Sequence, residues 1–423
     1  MKQLFLEQQN LNSRFTSILI FLFPIAGVGL RDWFSGFATL IMFSGVYLVI
    51  AAFRRRTLPF EGYSMEEKTL LILVSSLFFA FIISGFVNGW NDNQFDYFWG
   101  EMNFLFFIPI YFAVRCVKNA PEILVKGTVI AGIILIISYI YDVHISSTPY
   151  HKHLGAYGHL LSGPVSVIFM YVVISAYREL FDTNIWKTFF FVSVVFSFIT
   201  ALATKSSSAY ALLLLMCFVV PFLIFKKFLS RLFFILFIIL IFLLSYLYSS
   251  DAKRGVLVVK NGVSRALSID DISLHKAPLG TASARVAMWD VSWKIFKDHP
   301  FVGVGRGNYT DAATVYYNKG IANAGVTIHS HPHSIYFELL ASKGLLGLSI
   351  FIFIIFTIFR LYRYAYKSNL PYSGAALTHI LAILFIGIGA ADPILKNNFT
   401  AVFLVYLAVF YSSFSQQLKQ QPK

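Results

Sequence analysis

The sequence predicts an all-α polytopic membrane protein with about twelve transmembrane helices, and two observations carry this prediction. The 423-residue chain is 57% hydrophobic and only 13% charged, whereas soluble domains have about 25% charged residues. Apolar runs close to twenty residues long recur along the chain, and a helix needs about that length to cross the hydrocarbon of a bilayer. These runs must be helical because lipid cannot satisfy exposed backbone polar groups.

The apolar runs divide the chain into three parts. Residues 1–249 contain nine predicted spans, residues 250–344 form one long polar loop region before the tenth helix, and residues 345–423 contain the last three spans and a tail. The predicted spans are 15–30, 33–53, 69–88, 102–118, 124–142, 160–177, 186–203, 207–225, 231–249, 345–361, 373–391 and 397–414.

The distribution of Lys and Arg in the short connections predicts the orientation. Basic residues collect on the side of both termini, whereas the opposite short loops hold only Arg31, Lys152, Lys205 and Lys396. Cytoplasmic loops carry the excess of positive charge, so both termini are predicted to be cytoplasmic. Residues 250–344 then face outwards, which in a Gram-negative bacterium means the periplasm beside the inner membrane.

Composition also excludes several function classes. The net charge of +14 comes largely from short clusters beside apolar runs, so it indicates topology and predicts no nucleic-acid partner. Cys116 and Cys217 lie far apart, which suggests neither a disulfide framework nor a thiolate metal site. Walker, HExxH and GxSxG motifs are absent from the sequence, and no cofactor is predicted.

One amphipathic helix is predicted inside the outer loop region, over residues 283–298. Ser283 is the expected N-cap, and apolar residues at helical spacing include Trp289 and Trp293. Trp at this spacing suits a helix that lies at the membrane interface. A packed core face explains the pattern equally well, so both interpretations stay open.

Three histidines two residues apart form the densest polar cluster of the outer region. Residues on alternate positions of an extended chain point the same way, so His329, His331 and His333 could converge on a metal. Pro332 interrupts the run, however, and no thiolate or carboxylate set completes a site. The alternatives are interface histidines without chemistry, or one histidine acting as a general base near neutral pH.

The end of this region resembles the signature of the O-antigen ligase family. His333-Ser334 is followed after nine residues by Gly344-Leu345-Leu346-Gly347, and this spacing is similar to the family's motif just before a membrane helix. Upstream, residues 299–309 (HPFVGVGRGNY) resemble the family's glycine-rich block, and Arg285 lies where the ligases carry a functional arginine. The family's second arginine, at the outer start of the eighth span, is absent here, and Lys205 lies in its place.

The resemblance implies an enzyme that moves a glycan from undecaprenyl pyrophosphate to a sugar hydroxyl of the lipid A core. His333 is then expected to be the general base, and Arg285, Lys205 and Arg306 are expected to bind the donor pyrophosphate. Ser334, Gly344 and Gly347 are expected to have motif or structural roles, and no metal is expected. Glu338 could orient His333 or neighbouring cations, but we expect it instead to be solvated or to cap a helix.

Three other functions stay open at the level of sequence. An O-antigen polymerase or a protein O-glycan transferase shares the family's plan and donor but uses another acceptor. A flippase or transporter of lipid-linked glycans would place charged residues deep in several spans. In this chain the ionisable residues gather mainly at the predicted outer face.

Overall fold

The computed structural model contains α-helices and one short 3₁₀ helix in the part of the chain that it describes, and no strand there. The described residues are 2–29, 33–54, 62–144, 158–180, 183–204, 281–367 and 398–419, together with scattered helical residues between 209 and 240. The prediction of an all-α protein is therefore confirmed for these residues. The predicted spans 207–225, 231–249 and 373–391 lie largely or wholly outside them.

Eleven α-helices are described, and we number them in chain order. They are α1 (Lys2–Gly29), α2 (Trp33–Arg54), α3 (Met65–Asn88), α4 (Asp92–Arg115), α5 (Ala120–His144), α6 (Gly158–Leu180), α7 (Asn184–Ala203), α8 (Thr281–Asp298), α9 (Tyr309–Asn318), α10 (Ile335–Lys367) and α11 (Asn398–Lys419). The 3₁₀ helix is Ala324–Val326.

Seven of the described helices are long and apolar enough to cross a membrane, so the chain is a multi-pass membrane protein. They are α1 to α5, α7 and α10, and α6 carries a shorter apolar stretch. The count of twelve spans stays a prediction. Helix α4 begins at Asp92, ten residues before the predicted start of the fourth span, because Asn91 caps it by accepting a hydrogen bond from the backbone N–H of Gln94 at 3.0 Å.

The membrane helices share one apolar core. Helix α1 packs on α2 and α5, α4 packs on α2, α3 and α11, and α3 packs on α10. Buried Phe and Tyr side chains from these helices fill the space between them, including Phe23, Phe104 and Tyr406.

A second, smaller core belongs to the predicted outer region. Helix α8 packs on α9, the 3₁₀ helix and α10, and its buried residues Ala287, Met288, Val291 and Ile295 form the centre of this cluster. Trp293 is 46% exposed, whereas Trp289 packs on Phe337. The exposure of Trp293 favours the interface interpretation for its part of α8, and the packing of Trp289 favours the core interpretation one turn earlier.

The predicted start of α8 was wrong by two residues. The helix begins at Thr281 and already includes Ser283, so Ser283 is not the N-cap. A capping residue must have non-helical backbone angles, and the helical periodicity of the aromatic residues did not extend far enough upstream to reveal the true first turn.

Candidate active site

The glycine-rich loop, residues 299–308, lies in contact with a kink in helix α10. Gly344 interrupts α10 with non-helical angles, φ 61° and ψ −154°, and therefore separates the segment 335–343 from the rest of the helix. Four backbone hydrogen bonds join the loop to this kink. They run from Val304 N to Ala341 O (2.9 Å), Gly305 N to Ser342 O (3.1 Å), Leu345 N to Pro300 O (2.8 Å) and Leu346 N to Phe301 O (3.1 Å).

Two glycines make this close approach possible. A Cβ on Gly303 would lie 2.4 Å from the carbonyl carbon of Ser342, and one on Gly344 would lie 2.5 Å from that of Phe301. Both residues also have positive φ, 63° and 61°, a conformation that costs other residues free energy. Each glycine therefore permits contact between the same two backbone segments from its own side.

Polar side chains of α3 and α4 hold the loop against the membrane bundle. The Ser84 hydroxyl donates to Val302 O at 2.7 Å, and the Asn88 amide donates to Gly303 O at 3.0 Å. The Asn91 amide donates to Asn308 Oδ1 at 2.9 Å. The α3–α4 turn and the glycine-rich loop thus lie on one side of the bundle, although which side of the membrane this is stays a prediction.

Four charged side chains form a buried cluster beneath the loop. Glu101 of α4 is 1% exposed, and its two carboxylate oxygens lie 2.9 Å from Arg306 Nη1 and 2.6 Å from Lys343 Nζ. Glu338 Oε1 lies 3.9 Å from Arg306 Nε. Two acids and two bases are brought together, and their formal charges balance.

The cluster corrects the expectation for Glu338 and bears on the one for Arg306. Glu338 is buried rather than solvated, and it lies inside α10 rather than at a cap. Arg306, expected to bind the donor, is only 3% exposed. Burial alone would lower the pKa of Arg306, but the neighbouring carboxylates of Glu101 and Glu338 outweigh it and raise the pKa. Arg306 is therefore paired with carboxylates in the structure, and its contact with a donor stays a prediction.

His333 lies at the entrance to α10 in a tightly determined conformation. Its φ is 50°, which is uncommon for a residue other than glycine. The backbone N–H of His333 donates to His331 Nδ1 at 3.3 Å, and the rings of His331 and His329 lie with their centroids 4.3 and 5.1 Å from that of His333. The next residue, Ser334, is buried, and its carbonyl oxygen accepts the first helical hydrogen bond from Glu338 N at 2.9 Å.

The histidine segment is held from two sides. The Trp289 indole N–H donates to Pro332 O at 3.0 Å, and the Trp289 ring stacks on Phe337 at 5.4 Å between centroids. The Thr310 hydroxyl donates to His329 O at 3.1 Å. Burial, followed by the nearby imidazole of His333, lowers the pKa of His329, so His329 favours its neutral form.

Arg285 lies on the helix that reaches this segment. It precedes Trp289 by one turn of α8, and residues four apart share a helix face, so Arg285 shares the face of Trp289, which contacts the residue before His333. The Arg285 side chain is partly exposed and makes no hydrogen bond or ion pair within the part of the chain that the structure describes. An arginine in this position is able to take an anionic ligand without losing a partner among those residues.

Two predicted site residues remain, Gly347 and Lys205. Gly347 is buried in the first turn after the kink, where its neighbour is the Lys343 side chain. Lys205 lies outside the described residues. As for a metal, no group of three His, Cys, Asp or Glu side chains within the described ranges has a geometry that could hold an ion.

Two residues of the buried cluster, Glu101 and Lys343, were not among the predicted site residues. Glu101 lies within α4 and is 1% exposed. One signal was available: Lys343 is a single lysine between the apolar runs before and after it. An ionisable residue at the edge of a span usually has a buried partner, and a search for that partner would have considered Glu101.

Comparison with known proteins identifies the region that contains this site. Residues 191–352 match the family model described as O-antigen ligase. The match extends from within α7 to within α10, and it includes α8, the glycine-rich loop, His333 and the kink at Gly344. No curated protein matches the chain.

Proposed function

We propose that this chain, whose residues 191–352 match the O-antigen ligase family model, is a glycosyltransferase of the O-antigen ligase type. Its donor is a glycan linked to undecaprenyl pyrophosphate, and its acceptor is a sugar hydroxyl of the lipid A core. A family match alone supports only the wider ligase and polymerase group. The resemblance of the His333–Gly347 spacing to the ligase signature favours the ligase within that group.

One observation carries the proposal. Inside the matched domain, the histidine of the motif lies beside α8, the helix that carries Arg285. The reaction needs a base and a fixed cation close together, because the acceptor hydroxyl loses a proton as the pyrophosphate leaves. His333 and Arg285 are residues of the required kinds on two segments that are in direct contact.

In the proposed mechanism, neutral His333 accepts the proton of the acceptor hydroxyl. The hydroxyl oxygen attacks the anomeric carbon, the bond from that carbon to the pyrophosphate oxygen breaks, and undecaprenyl pyrophosphate departs. Arg285 stabilises the charge that develops on the pyrophosphate, and Lys205 adds a second positive charge without the bidentate geometry of arginine. Attack opposite the leaving group inverts the anomeric carbon, and the reaction requires no metal.

The proposed location follows from the charge distribution. The protein lies in the bacterial inner membrane with both termini in the cytoplasm and the site facing the periplasm. A prenyl-linked donor explains why the site lies where a membrane-spanning helix begins, since the lipid tail stays in the bilayer while its pyrophosphate reaches Arg285. Transfer uses a donor that is already activated, so a nucleotide is not needed on the outer side.

A deletion strain examined on a lipopolysaccharide gel tests this function. Loss of a ligase leaves uncapped core while undecaprenyl-linked polymer accumulates. Core that carries a single repeat unit would instead identify a polymerase, and unchanged lipopolysaccharide would contradict both. In a complemented strain, His333→Ala is expected to abolish capping while the protein still inserts into the membrane, and full capping would remove His333 from the role of base.

A further inference from the structure

Apart from the predicted binding of the donor by Arg306, the buried cluster of Glu101, Arg306, Lys343 and Glu338 has no chemical role in the proposed transfer. The cluster nevertheless joins three segments of the site. Glu101 belongs to α4, Arg306 to the glycine-rich loop that follows α8, and Lys343 to the helical segment that begins just after His333. The glycine-rich loop directly follows α8, which carries Arg285, the proposed anion-binding residue. The helical segment begins two residues after His333, the proposed base.

We propose that Glu101 is a positioning residue that fixes the glycine-rich loop and the first segment of α10 relative to each other, and so sets His333 against the helix that carries Arg285. This inference rests on the proposed function for the role of His333. Glu101 itself does not touch substrate.

The geometry of Glu101 is suited to this task. Each carboxylate oxygen takes one cation, Arg306 at 2.9 Å and Lys343 at 2.6 Å, so a single side chain bridges two segments that are far apart in sequence. Lys343 Nζ also donates to Leu77 O of α3 at 3.2 Å. The bridge therefore joins both segments to the helices of the membrane bundle.

Burial makes the bridge specific. Moving a charged group out of water is unfavourable unless the group is paired, and an apolar replacement of similar size is often as stable. Glu101 and Lys343 are each 1% exposed. Their burial therefore favours the arrangement in which Arg306 and Lys343 both pair with the Glu101 carboxylate. Displacing the loop or the helical segment would leave a buried charge without a partner.

The first test is Glu101→Gln in the full-length protein, with Glu122→Gln as the matched control. Glu122 forms an ion pair with Lys126, but it is partly exposed and lies in α5, so its loss should change neither stability nor transfer. Glu101→Gln is expected to lower the unfolding midpoint and to reduce kcat about 100-fold, the order of effect that a displacement of about 1 Å produces. The KM for the donor should change less than about threefold, because Arg285 is untouched.

A second variant separates positioning from general stability. Glu101→Gln combined with Lys343→Met removes the buried ammonium that the single change leaves unpaired, and the unfolding midpoint should recover most of its loss. If Glu101 positions the base, kcat stays low in the double variant. Recovery of kcat together with stability would show a purely structural role and overturn the inference.

A cross-link provides a readout that does not depend on catalysis. The Asn93 amide donates to Asp311 Oδ2 at 3.0 Å, so cysteines at these two positions, in a chain with Cys116 and Cys217 replaced by serine, should react with a short thiol cross-linker. Glu101→Gln should lower the yield, and an unchanged yield would overturn the inference. Full activity of His333→Ala would contradict the proposed function instead, while the cross-link would still report whether Glu101 holds the loop.

Discussion

Replacing Gly344 by alanine tests whether the contact between the glycine-rich loop and α10 organises the site. Gly344 has φ 61° and ψ −154°, a region that is essentially restricted to glycine and costs other residues about 1–3 kcal/mol. The new Cβ would also lie 2.5 Å from the carbonyl carbon of Phe301 and 2.6 Å from Val302 N. Both are backbone atoms that cannot turn aside, and overpacking of this kind costs about 1–3 kcal/mol more.

The matched control is Gly320→Ala. Gly320 has φ 76°, but an added Cβ there meets nothing within 4 Å, so its replacement carries only the backbone strain, about 1–2 kcal/mol. We expect both variants to lower the midpoint of thermal unfolding in the same detergent, Gly344→Ala by clearly more, and only Gly344→Ala to lower transfer strongly. Equal losses in the two variants would refute the steric argument, and normal transfer by Gly344→Ala would show that the contact does not organise the site.

Four further predictions follow from the structure. His331→Ala should lower kcat because it removes the acceptor of the hydrogen bond from the His333 N–H. His331→Asn should retain most of kcat, because an asparagine oxygen can accept the same hydrogen bond. Equal kcat in the two variants would contradict this. If α8 lies at the membrane interface, a spin label at Trp293 should be more accessible to oxygen than to a water-soluble nickel chelate. A label at Lys319 should show the reverse. The same accessibility pattern at both positions would contradict the contact between α8 and the membrane. Folding lowers the pKa of His329, so the unfolded chain binds protons more tightly at this residue. The free energy of unfolding should therefore decline as the pH falls through about 6.5. The decline should be smaller for a His329→Gln variant, and the same pH dependence in both proteins would contradict this. Transfer should persist in excess EDTA, and its loss, restored by added metal, would contradict the metal-independent mechanism.

The helical architecture could be predicted because each membrane span is specified locally. A run of about twenty apolar residues predicts a helix wherever it occurs, since the bilayer leaves the backbone no other choice. The same logic did not determine where α4 begins. Its first ten residues include Asp92 and Glu101, and their polarity concealed a helix that continues beyond the apolar run.

The candidate site could be predicted only in part, because some of its contacts join residues that are far apart in the sequence. The spacing from His333 to Gly344 is a local pattern, and it drew attention to the segment that contains the kink. The ion pairs of Glu101 with Arg306 and Lys343 join residues more than 200 positions apart, and no local pattern records such a pairing. Burial of Arg306 also became evident only when the loop was seen against α4.

The most direct test of the account is transfer by the purified full-length protein in lipid vesicles. The vesicles would contain a glycan linked to undecaprenyl pyrophosphate and lipid A core as the acceptor, and the capped product would be measured for the unaltered chain and for His333→Ala. We predict capped lipid A core from the unaltered chain and none above background from His333→Ala at the same folded fraction. Absence of product from the unaltered chain, or equal product from His333→Ala, would contradict the central claim.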